Sequence, residues 1–258
     1  MITISVSPIA FTIGSIEVRW YGIMIAVAIV VLVLWGLREI RKGVKLPYDS
    51  VFMAAIVGIP SGIVISRLLH VLDKWDYYSQ NPGLIIGGDG LTIYGGVLGA
   101  SLGAWIYSRF SHSFQFSRLA DMMAPGIILA QAIGRIGCTL NGCCYGLETS
   151  LPCGVVYTNP DSFAPIGVAV HPTQIYEIVW NLIVFGVLFK LRGRLKPDGS
   201  LFLIYLGLYS LWRFGIGFLR EGTSFLFGLH QAQIVGIIVL VIAIVFLAWR
   251  TRWVKAEE

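Results

Sequence analysis

A charged side chain and four glycines stand at the end of a long apolar run near residue 135. The segment reads Gly134-Arg135-Ile136-Gly137-Cys138-Thr139-Leu140-Asn141-Gly142-Cys143-Cys144-Tyr145-Gly146. The preceding residues, 124–133, include a single polar side chain, that of Gln131. Arginine at the end of a membrane-length apolar segment is costly unless it faces protein, water or an anion. Glycine lets the backbone approach a ligand closely. The pattern therefore indicates a site for an anionic lipid head group.

The composition indicates a membrane protein. The chain has 258 residues, of which 56% are hydrophobic and 13% are charged, and its mean hydropathy is +0.78. Several runs reach the roughly 20 apolar residues that a helix needs to span a bilayer, which excludes a soluble protein with a large core. The net charge of +5 is interpreted as basic cytoplasmic loops, and no nucleic-acid partner is predicted.

Hydropathy predicts an all-α integral membrane protein with about seven transmembrane helices and long outer-face loops. The predicted spans are 19–37, 50–71, 91–109, 119–137, 172–190, 199–219 and 231–249. The long loops are 72–90 and 138–171. Loops of such length are usually functional or disordered, and their aromatic and cysteine content favours function. The chain is predicted to form one membrane domain over residues 1–258.

The distribution of basic residues predicts the orientation of the chain. Lysines and arginines concentrate in alternate connections between the predicted spans, and the positive-inside rule assigns such connections to the cytoplasm. The N-terminus is then outside and the C-terminus inside. The residues are Arg38, Arg41, Lys42, Lys45, Arg109, Arg118, Lys190, Arg192, Arg194, Lys196, Arg250, Arg252 and Lys255.

Four arginines fall at or near the predicted outer ends of spans, or inside them. They are Arg67, Arg135, Arg213 and Arg220. Such side chains often extend to the membrane surface or form structural ion pairs. Arg213 lies in the middle of a predicted span, where the surface is hardest to reach, and few carboxylates are available to face it. We therefore interpret Arg135 and Arg213 as ligands of an anion, because guanidinium geometry suits phosphate.

A polar motif begins the fifth predicted span. It reads His171-Pro172-Thr173-Gln174-Ile175-Tyr176-Glu177. The spacing of three places His171, Gln174 and Glu177 on one helix face. One interpretation is a capped helix start with a polar first turn. The other is that Gln174 and Glu177 meet polar partners, because such residues are costly in a membrane helix without them.

The four cysteines follow the spacing C-x4-C-C-x8-C. They are Cys138, Cys143, Cys144 and Cys153. The pattern lacks the C-x-x-C pair that is typical of zinc and thioredoxin-type sites. A disulfide is chemically allowed on the outer face, and Cys153 with Cys143 or Cys144 is one alternative. The other is that the cysteines are small packing residues.

Taken in chain order, the motifs resemble the bacterial prolipoprotein diacylglyceryl transferase family. The resemblance covers nearly the whole chain, and the arginine-glycine signature together with the His-Pro motif makes it specific. The segments are Arg19-Trp20-Tyr21-Gly22, Asp89-Gly90, Tyr94-Gly95-Gly96, Asp121 with Ala124-Pro125, Gly134-Arg135-Ile136-Gly137 through Asn141-Gly142 and Gly146, His171 to Glu177, Arg213-Phe214, Phe218-Leu219-Arg220, and Gln231-Ala232-Gln233-Ile234.

The resemblance implies a single membrane-embedded transferase domain in the bacterial inner (cytoplasmic) membrane. Such an enzyme moves the diacylglyceryl group of phosphatidylglycerol to the lipobox cysteine thiol of a preprolipoprotein signal peptide. A thioether forms and glycerol phosphate leaves. The implied partners are these two substrates and the surrounding membrane lipids. The resemblance implies no metal and no cofactor.

The resemblance also assigns site residues. Arg135 and Arg213 match the family's two key arginines and are predicted to hold the phosphate and offset the charge of the leaving group. The resemblance does not settle the role of Tyr94 or the base for the thiol proton: we predict that Tyr94 orients the head group through its hydroxyl while the lipid phosphate or a water takes the proton, and the alternatives for the base are Tyr94 itself and His171. The predicted substrate-binding residues are Tyr21, Asn141, Gly146, His171, Gln174, Glu177, Arg220 and Gln233.

The chain departs from the family pattern at three positions. Tyr94 stands where the family often has a histidine, Cys138 replaces an asparagine, and Gly217 replaces a glutamate, for which Glu221 is a candidate substitute.

Three alternative functions remain open. The first is a catalytically altered paralogue that binds lipid, and the second is a membrane thiol oxidoreductase. The third is an anion transporter, which would normally show pseudo-symmetric halves.

Overall fold

The computed structural model describes residues 1–14, 16–44, 46–87, 93–111, 114–220 and 228–253. Helices make up most of this part of the chain. They are α1 (Trp20–Arg41), α2 (Tyr48–Asp73), α3 (Trp75–Gln80), α4 (Leu84–Gly87), α5 (Ile93–Ser111), α6 (Phe116–Asn141), α7 (Thr173–Leu191), α8 (Ser200–Gly217) and α9 (Gln231–Arg250). Each of the seven long helices coincides with a predicted span to within four residues at either end.

Six helices in the described ranges are long and apolar enough to cross a membrane: α1, α2, α6, α7, α8 and α9. This confirms the predicted class of helical membrane protein. Helix α5 covers most of the predicted third span but is not among the six, and residues 91 and 92 of that span lie outside the described residues. The seventh span and the orientation of the termini stay predictions.

Helix α9 illustrates why these segments suit a bilayer. Its polar side chains lie near its two ends, and the middle is a run of branched apolar residues. Val241, Ile244 and Val245 are each more than half exposed. In water such a surface would be unstable, whereas in hydrocarbon it needs no partner and the helix satisfies its own backbone.

Seven short strands were not predicted from the sequence. They are β1 (Ile2–Ile4), β2 (Ile9–Ile13), β3 (Ile16–Arg19), β4 (Val155–Tyr157), β5 (Ala169–Val170), β6 (Leu195–Lys196) and β7 (Arg252–Trp253). The middle strand β4 pairs in parallel with β1 and antiparallel with β5. Strands β2 and β3 form a hairpin, and β6 pairs with β7. Because α6 ends at Asn141, the loop predicted over 138–171 begins after that residue, and it contains β4 and β5.

The chain divides into two compact units, Met1–Trp35 with Ala120–Glu258, and Gly36–Leu119. The core of the first unit lies among α6, α7 and α8. Its buried residues include Ala124, Ile128, Val184, Leu188, Leu195, Leu201 and Tyr205. Trp35 of α1 also packs there: its indole N–H donates to the Met122 carbonyl oxygen at 3.0 Å, and its ring meets the ring of Phe185 edge-on. The single transferase domain stays a prediction.

In the second unit, α2 and α5 approach each other along small residues. A Cβ atom on Gly62 would lie 2.9 Å from the carbonyl oxygen of Gly96, which is the close backbone approach common between transmembrane helices. Arg67 of α2 donates through Nε to the Ile85 carbonyl oxygen at 2.8 Å and lies over the ring of Tyr78. Arg67 therefore has a structural role within this unit.

Candidate functional site

Arg135 and Glu177 form a buried ion pair between α6 and α7. The guanidinium Nη2 is 2.8 Å from the Glu177 Oε1, and the two side chains are 9% and 2% exposed. The sequence interpretation, that few carboxylates face the arginines, is thus corrected for Arg135. A charge this deeply buried needs an opposite charge or an anion, and Glu177 supplies one while leaving other N–H donors of the fork available.

Helix α7 aligns the polar side chains of the His-Pro motif. The helix begins at Thr173, directly after Pro172. Gln174 and Glu177 lie one turn apart and are both buried, so their predicted common face is a buried one. His171 precedes the helix, so the prediction that it shares this helix face is wrong. Its Nδ1 is buried and has no hydrogen-bond partner within the described ranges.

The loop after α6 is fixed to the start of α7 by three hydrogen bonds. Gln174 Nε2 donates to the Cys143 carbonyl oxygen at 2.7 Å. The Thr173 hydroxyl donates to the Cys144 carbonyl oxygen at 2.6 Å. The Gly146 N–H donates to the His171 carbonyl oxygen at 2.9 Å. Sequence reasoning missed Thr173, although it lies inside the motif.

Gly146 is enclosed by three neighbours. A Cβ atom there would lie 2.7 Å from His171 Cβ and 2.7 Å from Thr173 Cγ2, and would also collide with the Leu219 carbonyl oxygen. The predicted binding residue Gly146 thus has a steric reason to be glycine. Its neighbour Leu147 donates its N–H to the same Leu219 oxygen at 2.8 Å, so this loop also holds the segment after α8.

Three cysteine thiols converge at the end of α6. The Sγ atoms of Cys138, Cys143 and Cys144 all lie within 4.8 Å of one another. The chain folds back here because Gly142 and Cys144 adopt left-handed backbone conformations, with φ of 70° and 63°. All four cysteines are free, and Cys153 lies apart, 3.3 Å from the Tyr176 hydroxyl. The considered bridge from Cys153 to Cys143 or Cys144 is therefore not formed.

The start of α1 lies beside the end of α6. A Cβ atom on Gly137 would lie 3.1 Å from Tyr21 Cα, so the predicted residue Tyr21 borders the signature. Arg19 Nη1 donates to Asn141 Oδ1 at 3.5 Å, and the same guanidinium lies over the ring of Phe163 at 4.9 Å. Tyr21 and Asn141 are thus brought to the same end of the helix pair as Arg135.

Tyr157 of β4 joins the site, and sequence reasoning missed it. Its hydroxyl donates to the Thr139 carbonyl oxygen at 3.0 Å, and Gln174 Nε2 lies 3.5 Å from the same hydroxyl. Burial raises the pKa of Tyr157 above its ordinary value, and the nearby Cys143 and Cys138 raise it further. The side chain is therefore a neutral hydrogen-bonding group. The apolar run Val155-Val156-Tyr157 was the one available signal.

A cleft of about 510 Å³ lies beside the end of α8 and the start of α9. Its lining includes the predicted residues Arg220 and Gln233, together with Leu147, Gly217, Phe218, Gly228 and His230. Gln233 is 1% exposed and is held by two hydrogen bonds, from its Nε2 to the Phe214 carbonyl oxygen at 3.1 Å and from the His230 N–H to its Oε1 at 2.9 Å.

Gly217 leaves room for Gln233. A Cβ atom on Gly217 would lie 2.5 Å from Gln233 Cγ. The position of Gln233 therefore leaves no room for a side chain at residue 217, where the family has a glutamate. Glu221, the candidate substitute, falls in 221–227, outside the described residues. So do residues 88–92 and the side chain of Tyr94.

Arg213 lies half-buried on α8. Tyr209 precedes it by one turn and lies within electrostatic range of Arg135. Because residues four apart share a helix face, Arg213 and Tyr209 point to the same side of α8. The neighbouring Trp212 stacks on Trp180 of α7, with ring centroids 5.0 Å apart. Arg220 and Arg135 both lie close enough to Cys144 to act on it electrostatically. Arg220 is therefore part of the same site.

Comparison with known proteins gives full-length matches. A family profile described as prolipoprotein diacylglyceryl transferase matches residues 8–249. Similar relatives carry the name phosphatidylglycerol–prolipoprotein diacylglyceryl transferase. One from Dehalococcoides mccartyi is 52% identical over 258 residues, covering 100% of this chain and 99% of its own. One from Clostridioides difficile is 36% identical over 255 residues, covering 97% and 99%. One from Lysinibacillus sphaericus is 37% identical over 267 residues, covering 99% and 96%.

Proposed function

Because the chain belongs to the prolipoprotein diacylglyceryl transferase family, we propose that it transfers the diacylglyceryl group of phosphatidylglycerol to the lipobox cysteine thiol of a preprolipoprotein signal peptide. The thiol sulfur forms a bond to the diacylglyceryl carbon while the bond from that carbon to the phosphate oxygen breaks. Glycerol phosphate leaves, and the thiol proton passes to the departing phosphate or to a water at the outer face. The observation that carries the proposal is the buried ion pair that joins Arg135 of the signature to Glu177 of the His-Pro motif.

Arg135 is proposed to bind the phosphate and offset the charge that develops on the leaving group. Its guanidinium is a rigid fork of five N–H donors. Glu177 Oε1 accepts a hydrogen bond from Nη2 of this guanidinium, 2.8 Å away. This contact fixes the orientation of the fork. A charged donor held in place before the reaction stabilises the transition state more than one that must reorganise. Glu177 is therefore proposed as a positioning residue.

Arg213 and Arg220 are proposed to complete the cationic surface for the lipid. Arg213 shares a face of α8 with Tyr209, which lies within electrostatic range of Arg135. Arg220 lines the cleft of about 510 Å³, a volume in the range of small-ligand sites. We propose that the head group enters this cleft, with Gln233 fixed beside it.

The remaining predicted residues divide between two roles. Gln174 and Gly146 hold the loop after α6 against α7 and are proposed to position the site. Tyr21, Asn141 and His171 lie at its border, and we propose that they contact the substrates. Tyr94 is proposed to orient the head group through its hydroxyl.

We also propose seven spans in the bacterial inner membrane, with the N-terminus outside. Strand β1 pairs with β4, so both lie on one side of the membrane, and the chain between them crosses an even number of times. Helices α1, α2 and α6 supply three crossings. The 19 residues of α5 rise about 28 Å, close to the hydrocarbon thickness. Helix α5 therefore supplies the fourth crossing.

Complementation of a bacterial strain depleted of its own diacylglyceryl transferase tests the proposed function. The wild-type chain is expected to restore growth and lipoprotein modification. Purified protein is expected to convert a lipobox peptide in vesicles that contain phosphatidylglycerol, but not in vesicles of phosphatidylcholine alone. A chain that reaches the membrane and binds phosphatidylglycerol without transfer would instead be the lipid-binding paralogue. Thiol oxidation without transfer would support the oxidoreductase.

A further inference from the structure

The three converging cysteines have no part in the proposed transfer, because the nucleophilic thiol comes from the substrate. We propose that Cys138, Cys143 and Cys144 form a binding site for one soft metal ion of the Zn²⁺, Cu⁺ or Cd²⁺ type. Their Sγ atoms lie within 4.8 Å of one another. Three sulfurs bound to one ion at about 2.3 Å are roughly 4 Å apart. Small side-chain rotations therefore suffice to close the site.

The backbone that carries the thiols is held in place before any ion binds. Cys138 lies in the last turn of α6, and its carbonyl oxygen accepts the Cys143 N–H at 3.1 Å. The carbonyl oxygens of Cys143 and Cys144 are held by Gln174 and Thr173 of α7. The left-handed φ of 63° at Cys144 is rare for a residue with a side chain, and such conformations concentrate at functional sites.

The surrounding charges suit a negatively charged complex. The guanidinium groups of Arg220 and Arg135 are both close enough to Cys144 to act on it electrostatically. Binding of a divalent ion releases three thiol protons to solvent and leaves a complex of charge −1. Arg135 is already balanced by Glu177, so Arg220 offsets the complex. Soft ions prefer thiolate ligands to the oxygen ligands nearby.

A bound ion would lie next to the proposed phosphate site. Cys138 Sγ is 4.0 Å from Arg135 Nη1. The relation to the phosphate site rests on the proposed function, whereas metal binding itself does not.

Titration of the reduced, chelator-treated full-length protein with Cd²⁺ in detergent tests the site. The expected result is one ion per chain, with a thiolate-to-metal charge-transfer band. The matched control is Cys153→Ser, because Cys153 lies outside the cluster, beside Tyr176, and this variant is expected to retain the band. The variant with Cys138, Cys143 and Cys144 all changed to serine is expected to lose it. Cys144→Ser alone is expected to weaken it and serves if the triple variant does not fold.

Two results would overturn the metal site. One is unchanged Cd²⁺ binding after the three substitutions, which would locate the ion elsewhere. The other is a thiol count of two in protein purified without reductant, which would indicate a disulfide among the four cysteines. Both measurements are independent of transfer, so failure of the metal site leaves the proposed function standing, and loss of transfer leaves the metal site standing.

Discussion

Arg135 and Glu177 hold opposite charges in a part of the protein that excludes water. A buried ion pair is a weak source of stability, because the desolvation of both charges offsets much of their attraction. Its value here lies in orientation: a carboxylate 2.8 Å from one guanidinium nitrogen fixes the direction of the remaining donors. Substitutions of the two residues are therefore expected to have different effects on stability and on transfer.

Arg135→Lys is expected to lower the rate of transfer while the protein remains inserted. Lysine keeps the charge but presents a single ammonium in place of the fork. Loss of one oriented donor to a transition state reduces kcat by about 100- to 1,000-fold. The assay is conversion of a lipobox peptide, and Arg109→Lys, at the exposed end of α5, is the control. Near-normal transfer by Arg135→Lys would assign Arg135 a structural role.

Glu177→Gln is expected to lower both stability and transfer. The substitution leaves the Arg135 charge buried without its carboxylate, and breaking such a pair costs about 3–5 kcal/mol. The measurement is the midpoint of thermal unfolding in detergent. Glu148→Gln provides the control, because Glu148 is exposed. An unfolding midpoint equal to that of wild type would mean that the ion pair contributes nothing to the fold.

Tyr94→Phe is expected to slow transfer by about 10- to 100-fold, the scale of a hydrogen bond to a charged group. If Tyr94 orients the head group, the pH profile of transfer keeps its shape, and Tyr94→His remains active. A Tyr94→Phe variant that is inactive at neutral pH, but recovers as the pH rises through the pKa of the substrate thiol, would identify Tyr94 as the base.

The residues brought together at Arg135 were only partly predictable. Gln174 and Glu177 follow from helical spacing in a membrane segment, where polar side chains need partners. The thiol cluster does not follow, because its convergence depends on the left-handed conformations of Gly142 and Cys144, which the C-x4-C-C spacing does not encode. Tyr157 reaches Gln174 only because β4 pairs with distant strands.

At the scale of elements, the junction between the end of α6 and the start of α7 depends on close contact at one glycine. Gly146→Ala is expected to destabilise the protein by about 1–3 kcal/mol, the usual cost of overpacking, because its Cβ would collide with His171 and Thr173. Gly186→Ala is the control: this helical glycine has open space around it, so stability is expected to hold or rise. Equal unfolding midpoints for the two variants would contradict this account.

The long helices were predictable, and the strands were not. A run of about 20 apolar residues is nearly sufficient to define a transmembrane helix, so hydropathy located all seven long helices. Strands of two to five residues carry too few positions for an alternating pattern to stand out. For β1, the partner strand also lies far away in the sequence, as the pairing of Ile2 with Val155 shows.

At the scale of the whole molecule, the strand pairs predict the side on which each end of the chain lies. Strand β7 pairs with β6, in the basic connection after α7 that the positive-inside rule places in the cytoplasm. Reporter fusions are expected to show a cytoplasmic C-terminus and an outer connection after Asn141. A C-terminal fusion to a reporter that works only in the periplasm provides the contrary test, and activity of that fusion would reject the orientation.

The pairing of β1 with β4 also sets an order of events during synthesis. Ile2 leaves the ribosome first, but its partner Val155 lies about 150 positions later, a delay of about 8–30 s at ordinary translation rates. In the proposed topology, four hydrophobic segments enter the bilayer during this interval, while the first strand remains unpaired outside. The sheet beside the Arg135 site is thus completed only after more than half of the chain has been made. The nascent chain is therefore expected to be inactive until most of its membrane insertion has taken place.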